Sequence, residues 1–330
     1  MPLHWGVVAT GSISTTFAEE LQRARGSELV AVSSRSLERA RDFADRHGAR
    51  DAYDSVAELV ADDEVHAVYV GSPHIHHAEA TRLALEAGKA VLCEKPFTID
   101  AEEAERLIAL ARHRGVFLME AMWTHCLPAI QRLLEMVADG AIGPVRHLAA
   151  SLGGVPADFR TYRMTDPQLG GGALLDMGVY PLSFAHLLLG HPDQVGATAV
   201  IEGGVDLATS VALAWDGSSG GSATTASLAT SMVAMLPNDA VVVGEEARIH
   251  VPANFFHPAG FAIVRPGQDP EWVEAPYRGR GYVHEIEEVE RCIAAGLTES
   301  PLVPLDRTLA VMTLLDTVRD EIGLIYPTEA

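Results

Sequence analysis

The side chains best suited to chemistry in this 330-residue chain fall into a few short groups. Lys95 stands in Cys93-Glu94-Lys95-Pro96, directly after the apolar run Ala90-Val91-Leu92, so its ammonium falls at the end of a strand that Pro96 stops. Open α/β sheets bind ligands at that edge, where an ammonium could hold a ribose and set positive charge beside a reacting oxygen. The alternative is a lysine salt-bridged at a strand end. Lys89 and Lys95 are the only lysines in a chain that otherwise uses arginine, and an ammonium differs in being compact and movable in pKa. Further on, Gly170-Gly171-Gly172 opens a Leu-rich helix over residues 174–189, in which Asp176 and Tyr180 are i, i+4 and share one face. Arg163 and Tyr162, in the loop before the glycines, could reach a substrate hydroxyl or could be ordinary surface residues.

Elements that would carry these groups follow from the periodicity. β-type runs at residues 5–9, 29–32, 67–70, 90–93 and 116–119 alternate with helical runs, of which Ile13, Phe17 and Leu21 mark the first. The other helices are predicted at 37–46, 56–60, 77–87 and 101–114. Such alternation implies right-handed crossovers and a parallel, doubly wound sheet. After residue 120 the pattern changes to a helix at 127–137, a strand at 145–152, the helix at 174–189, β-type runs from 197 to 264, and two closing helices. The expected fold class is therefore α/β: an N-terminal Rossmann domain, 1–121, and a C-terminal α+β domain, 122–330, with a large, mostly antiparallel open sheet.

The first turn, Ala9-Thr10-Gly11-Ser12-Ile13-Ser14, lies where a dinucleotide fold needs small residues, so that helix N-terminal amides can approach a pyrophosphate. Its match to G-x-G-x-x-G is degenerate, with Ala9 and Ser14 in place of glycines, and tight packing alone is the competing account. Where an NAD-binding fold puts an Asp or Glu on the ribose, about 20 residues on, this chain has Ser34 and Arg35, with Arg39 one helical turn later. Loss of the carboxylate and gain of guanidinium charge suit a 2′-phosphate, so NADP is expected and NAD remains possible. Helix solvation by Arg35 and Arg39 is the bland alternative.

With these residues in hand, the chain resembles the Gfo/Idh/MocA oxidoreductases over essentially its whole length, most of all the branch of trans-1,2-dihydrobenzene-1,2-diol and NADP-dependent D-xylose dehydrogenases. The resemblance is carried by residues 9–14, Ser33-Ser34-Arg35-Ser36, Ser72-Pro73 with His77, Glu94-Lys95-Pro96, Glu120-Ala121-Met122-Trp123, residues 170–180 and Glu299-Ser300-Pro301. It implies that Lys95 orients cofactor and substrate hydroxyl, Tyr180 gives or takes the proton, and Asp176 positions the substrate; Arg163 is a substrate candidate from its place in the loop alone. Trp123 would wall the nicotinamide pocket. Ser72, Pro73, His77, Glu94 and Pro96 would line the cofactor, as would Ala9, Thr10, Gly11, Ser12 and Ile13. The implied reaction is hydride transfer between NADP and a polyhydroxylated small molecule, an aldose such as D-xylose or a cyclic trans-dihydrodiol. The family also allows a nonenzymatic dinucleotide sensor, and implies a homodimer through the C-terminal sheet. Most relatives outside the branch carry His where Tyr180 stands. Departures include His125 and Cys126 where Arg-Phe is common, and Gly153-Gly154 where an aromatic often follows, so the pocket is expected to be differently lined.

Composition narrows the field. The net charge of −21 opposes binding to nucleic acid or an anionic membrane surface through bulk electrostatics. No secretory signal or apolar spanning segment is read, so a cytoplasmic protein is expected. Cys93, Cys126 and Cys292 lack paired spacing and read as free thiols; Cys126 reads as a small buried hydrophobe. His74, His76 and His77 have no carboxylate or thiol at ligand spacing, so no metal is expected, and Tyr282 and His284 are weaker candidates to line the pocket.

Overall fold

The computed structural model describes residues 2–155, 163–218 and 221–327. Two compact units emerge, one from residues 1–126 and 278–309, the other from 127–277 and 310–330.

The first unit holds a six-stranded parallel sheet: β1 (Leu3–Val8), β2 (Ser27–Ser33), β3 (Asp51–Tyr53), β4 (Ala67–Val70), β5 (Ala90–Glu94) and β6 (Leu118–Ala121). Its order is β3-β2-β1-β4-β5-β6, so the winding reverses between β1 and β4, where a doubly wound sheet leaves its ligand crevice. Helices α1 (Ser12–Leu21), α2 (Leu37–His47), α3 (Val56–Ala61), α4 (His77–Glu86) and α5 (Ala101–Arg114) connect the strands. Every residue of β4 is buried, as expected of a strand covered on both faces. Phe17 of α1 stacks on Tyr69 of β4 with ring centroids 3.8 Å apart, and Trp5 meets Phe17 edge-on.

The second unit begins with α6 (Pro128–Ala138), β7 (Val145–Gly153), a π-helical turn Leu174–Gly178 and α7 (Val179–Leu189). Strands β8 (Gln194–Glu202), β9 (Val205–Trp215), β10 (Thr224–Ser231), β11 (Ala240–Gly244), β12 (Arg248–Val251), β13 (Gly260–Val264) and β14 (Glu271–Glu274) follow. They form one eight-stranded sheet with β7, antiparallel except for the β7–β10 pair. Helix α7 packs on β7 and β10, and residues 179–185 are all buried, which explains an apolar composition with little amphipathic contrast. The run Pro167–Leu189 is long and apolar enough to span a membrane by length and composition, yet 67% of its most apolar window is buried within the protein.

A single cut between 121 and 122 does not describe this partition. The helix α8 (Val283–Ala294) returns to the first unit and buries Val283, Ile286 and Val289, and α9 (Leu305–Ile322) begins there. Polar ties fix the return: Ser27 donates to Glu290, and Leu118 N–H donates to the Thr298 carbonyl at 3.1 Å. Glu299-Ser300-Pro301 is part of it, because buried Ser300 donates to Glu288 at 2.5 Å while Glu299 accepts from Leu305 N–H at 2.8 Å.

Candidate active site

At the β1–β4 reversal, Ala9 takes φ +73 while its N–H bonds the Ser33 carbonyl. Left-handed backbone costs an alanine roughly 1–2 kcal/mol, which is why glycine is the easier residue there. Gly11 caps α1 with no side-chain bond, no acidic residue occupies the first turn, and a Cβ on Gly11 would meet nothing within 4 Å. The amides at this end are thus left for a ligand, as a pyrophosphate requires. Gly71, just past β4, has no room for a side chain, because a Cβ would overlap Ser14 Oγ and the Tyr69 ring. The hydroxyls of Ser14, Ser33 and Ser72 are buried without a hydrogen-bond partner among the described residues. Donors at a strand-to-helix turn with unfilled bonding capacity fit a dinucleotide.

At the end of β2, Ser36 caps α2 by accepting from Arg39 N–H, while Ser34 N–H bonds the Tyr53 carbonyl. The exposed guanidinium groups of Arg35 and Arg39 have no carboxylate partner among the described residues. Two uncommitted guanidiniums at this point fit a ribose phosphate better than a bare ribose.

Along β5 the chain ends in buried Glu94 and half-buried Lys95, and the Lys95–Pro96 peptide is cis. Glu94 accepts from Tyr69 Oη at 2.6 Å and from Lys95 N–H at 3.2 Å, so this carboxylate holds the lysine backbone. His77, fully buried at the start of α4, sets one ring nitrogen 2.9 Å from the Ser72 carbonyl and the other 2.9 Å from that of Pro96. It ties together the ends of β4 and β5 across Pro73. Trp123 is 4% exposed and stacks on Tyr282 at 4.3 Å, so the segment before α8 supplies it with an aromatic partner.

Several acids are buried behind this edge. Burial pushes the Glu120 carboxyl up to about 7, against hydrogen bonds from Thr308 and the Phe97 backbone that pull it down. Burial, reinforced by neighbouring Glu94, raises Glu285 well above the carboxylate range, and neither of its oxygens has a partner among the described residues. Burial likewise lifts the thiols of Cys93, Cys126 and Cys292, which are free and unreactive in character.

In the second unit, Arg163 Nη2 lies 2.6 Å from Asp176 Oδ1, while Tyr180, 8% exposed, sits one turn on with its ring 5.0 Å from that of Phe256. The ion pair holds one Asp176 oxygen. Tyr162 lies outside the described residues. The candidates read from the sequence thus form two groups, a cofactor-type edge in the first unit and an acid, tyrosine and guanidinium cluster in the second.

Comparison with known proteins supplies the family. Residues 3–122 match the model of an oxidoreductase family with an NAD-binding Rossmann fold, and residues 130–250 match the GFO/IDH/MocA C-terminal domain. The chain belongs to the Gfo/Idh/MocA oxidoreductases. It is 35% identical over 344 residues to the trans-1,2-dihydrobenzene-1,2-diol dehydrogenase of Danio rerio, with all of both chains covered. The Homo sapiens enzyme of that name is also 35% identical, over all of this chain and 99% of its own. The solved structure of KijD10, a 3-ketoreductase from Actinomadura kijaniata in complex with NADP and TDP-benzene, has a TM-score of 0.86 at 30% identity over 98% of each chain.

As a Gfo/Idh/MocA enzyme the chain carries positions that the motifs did not reveal. Gly71 needed the packing of Ser14 and Tyr69 to be seen, while Tyr282, a weaker candidate from the sequence, is set against Trp123 by the return of α8. Asp206, in β9, had no motif around it. His74 and His77 are buried with rings 5.7 Å apart, and among the described residues no three His, Cys, Asp or Glu side chains gather as a metal site would require.

Proposed function

We propose that the protein transfers a hydride between NADP and a small polyhydroxylated substrate, an aldose such as D-xylose or a cyclic trans-dihydrodiol. The observation that carries the cofactor side is the uncapped start of α1 together with the exposed guanidiniums of Arg35, after β2, and Arg39, in α2, which have no carboxylate partner among the described residues. The dehydrogenase and ketoreductase names of the relatives support the substrate class. The nicotinamide, when bound, gives or accepts the hydride. Amides of Ser12 and Ile13 hold the pyrophosphate, Arg35 and Arg39 the 2′-phosphate, and Trp123 walls the ring. Lys95 sets positive charge on the reacting oxygen, Tyr180 donates or takes its proton, and Asp176 with Arg163 positions the substrate.

The direct test is a panel of sugars, inositols and trans-diols with NADP⁺ and NAD⁺, read by reduced cofactor, alongside binding to Arg35→Ala. A guanidinium–phosphate bond is worth about 1.5–3 kcal/mol, so Arg35→Ala is expected to raise the NADP⁺ Kd by about 10-fold or more while leaving NAD⁺ binding within about twofold. Equal binding of both cofactors by the unaltered protein, with no effect of the substitution, would remove the NADP assignment.

A second copy of the chain is the proposed occupant of the open face of the second unit's sheet. Ala149, Ser210, Ala212, Ser227, Ala229 and Val241 line a trough of about 580 Å³ there. Small side chains leave the sheet flat enough for face-to-face packing. Sedimentation should give twice 35.3 kDa, and Ala212→Arg should return the monomer mass. A wild-type protein that sediments as a monomer at micromolar concentration counts against this role.

A further inference from the structure

The helical segment that carries Asp176 and Tyr180 has no cap of its own. Gly170-Gly171-Gly172-Ala173 precedes it, the cap residue Ala173 has no side-chain acceptor to offer, and Leu174 and Leu175 behind it are fully buried. Helix N-terminal amides without partners are costly when buried. The missing acceptor comes from the neighbouring sheet. Asp206 of β9, wholly buried, accepts from Leu174 N–H at 2.9 Å and from Thr209 Oγ1 at 2.7 Å through its Oδ2.

The glycine run is shaped by the same contact. Gly172 has φ +119, and a Cβ on it would overlap Asp206 Oδ1, so only a glycine lets the carboxylate reach the helix start. A Cβ on Gly171 would overlap the Met164 carbonyl, which accepts from Gly172 N–H at 2.7 Å. The Gly171 carbonyl accepts from Tyr326 Oη at 2.6 Å and that of Ala173 from Thr230 Oγ1 at 3.3 Å. Backbone from Gly171 to Leu174 is therefore gripped by four residues, Met164, Tyr326, Thr230 and Asp206. Asp206 is the one charged residue in this grip.

We propose that Asp206 is a positioning residue, whose carboxylate fixes where the π-helical turn begins and so sets the direction of Asp176 and Tyr180. Successive residues in a helix are turned by about 100°, so a slip of one position would rotate both side chains off their face. The π-turn Leu174–Gly178 makes the phase more dependent on its starting point, since its wider repeat must hand over to α7 within five residues. A residue serving only to fill the core would not leave Oδ1 unpaired in a buried setting, as it is among the described residues. Burial lifts the carboxyl to about 6, against the hydrogen bonds it accepts.

The inference rests on the reading of Tyr180 as the proton-transfer group, and the experiment separates the two. Full-length Asp206→Ala, Asp206→Asn, Thr230→Val and Tyr180→Phe are compared by kcat, by KM for substrate and cofactor, and by thermal melting. Misplacing a reacting group by about 1 Å costs about 10²-fold, so Asp206→Ala is expected to lose kcat by about 30- to 100-fold while the NADP⁺ KM moves less than about threefold. Asp206→Asn keeps an acceptor oxygen and is expected to restore kcat to within about threefold. Thr230→Val, which releases only the Ala173 carbonyl, is expected to lose about threefold to tenfold, and it decides the question with Asp206→Asn if the alanine variant does not fold. Wild-type kcat in Asp206→Ala, or an equal loss in Asp206→Asn, overturns the positioning role. In the folded-variant failure case, wild-type kcat in Thr230→Val together with a 30-fold loss in Asp206→Asn does the same. An active Tyr180→Phe would instead overturn the reading on which the inference rests.

Discussion

Tyr180→Phe is expected to lower kcat by about 10³-fold with NADP⁺ binding unchanged. Proton transfer by a positioned side chain contributes about 10²–10⁴-fold, and phenylalanine removes only the hydroxyl. The ring can stay in place: it packs beside Phe256, in a stretch of α7 whose neighbours are buried apolar residues. Folding and cofactor affinity should therefore survive, which makes the loss attributable to chemistry. A pH dependence accompanies it. An ordinary tyrosine ionises near 10, so acting as a base at neutral pH asks for a fall of about 3 units, or about 4 kcal/mol, whereas acting as an acid asks for none. Alcohol oxidation should accordingly run fastest at alkaline pH and carbonyl reduction tolerate neutrality. Steady-state profiles in both directions check this, and oxidation that is flat from about pH 6 to 10 counts against Tyr180 as the base.

Glu120→Gln is expected to stabilise the protein, and by more as pH rises. Glu120 is 3% exposed, its Oε2 accepts from Thr308 at 3.0 Å, and its Oε1 has no partner among the described residues. Burial raises the folded-state value from 4.5 to about 7. The folded protein then holds this proton more tightly than the unfolded chain does, so stability is present below about 4.5 and lost as pH climbs through 7. A shift of that size corresponds to about 3 kcal/mol once both states are ionised. Glutamine is neutral throughout and escapes the loss. Urea unfolding of both proteins should show their difference widening by about 2 kcal/mol between about pH 5 and pH 8. A difference that stays constant over that range would mean Glu120 is not the group responsible.

The parallel sheet was legible because its strands are short β-branched runs and its helices show one apolar face; Ala67-Val68-Tyr69-Val70 and Ile13, Phe17, Leu21 are clear cases. The strand Asp51–Tyr53 was not, being three residues long on the sheet edge with no buried residue to mark a period. The helix at 174–189 was read correctly in extent, but nothing in residues 174–178 distinguishes a π-turn from an α-turn. Lys95, Asp176 and Tyr180 stood out because motif and spacing are local properties. Asp206 did not, since its partner Leu174 is 32 residues away and a lone Asp in a strand resembles any surface carboxylate. The same holds for Glu285, whose position in an amphipathic helix gives no hint that it is buried without a partner among the described residues.

The return of residues 278–309 to the first unit has a consequence for synthesis on the ribosome. Residues 1–126 emerge first, but the Thr298 carbonyl that bonds β6 and the Glu290 carboxylate that takes the Ser27 hydroxyl belong to a segment beginning about 150 residues later. At roughly 5–20 residues per second, the nascent Rossmann sheet waits roughly 8–30 s with those partners and the apolar face that α8 covers unsatisfied. Over that interval residues 127–277 are made in full, yet the second unit still lacks residues 310–330, among them the Tyr326 whose hydroxyl bonds the Gly171 carbonyl, so the dinucleotide half receives its last residues first.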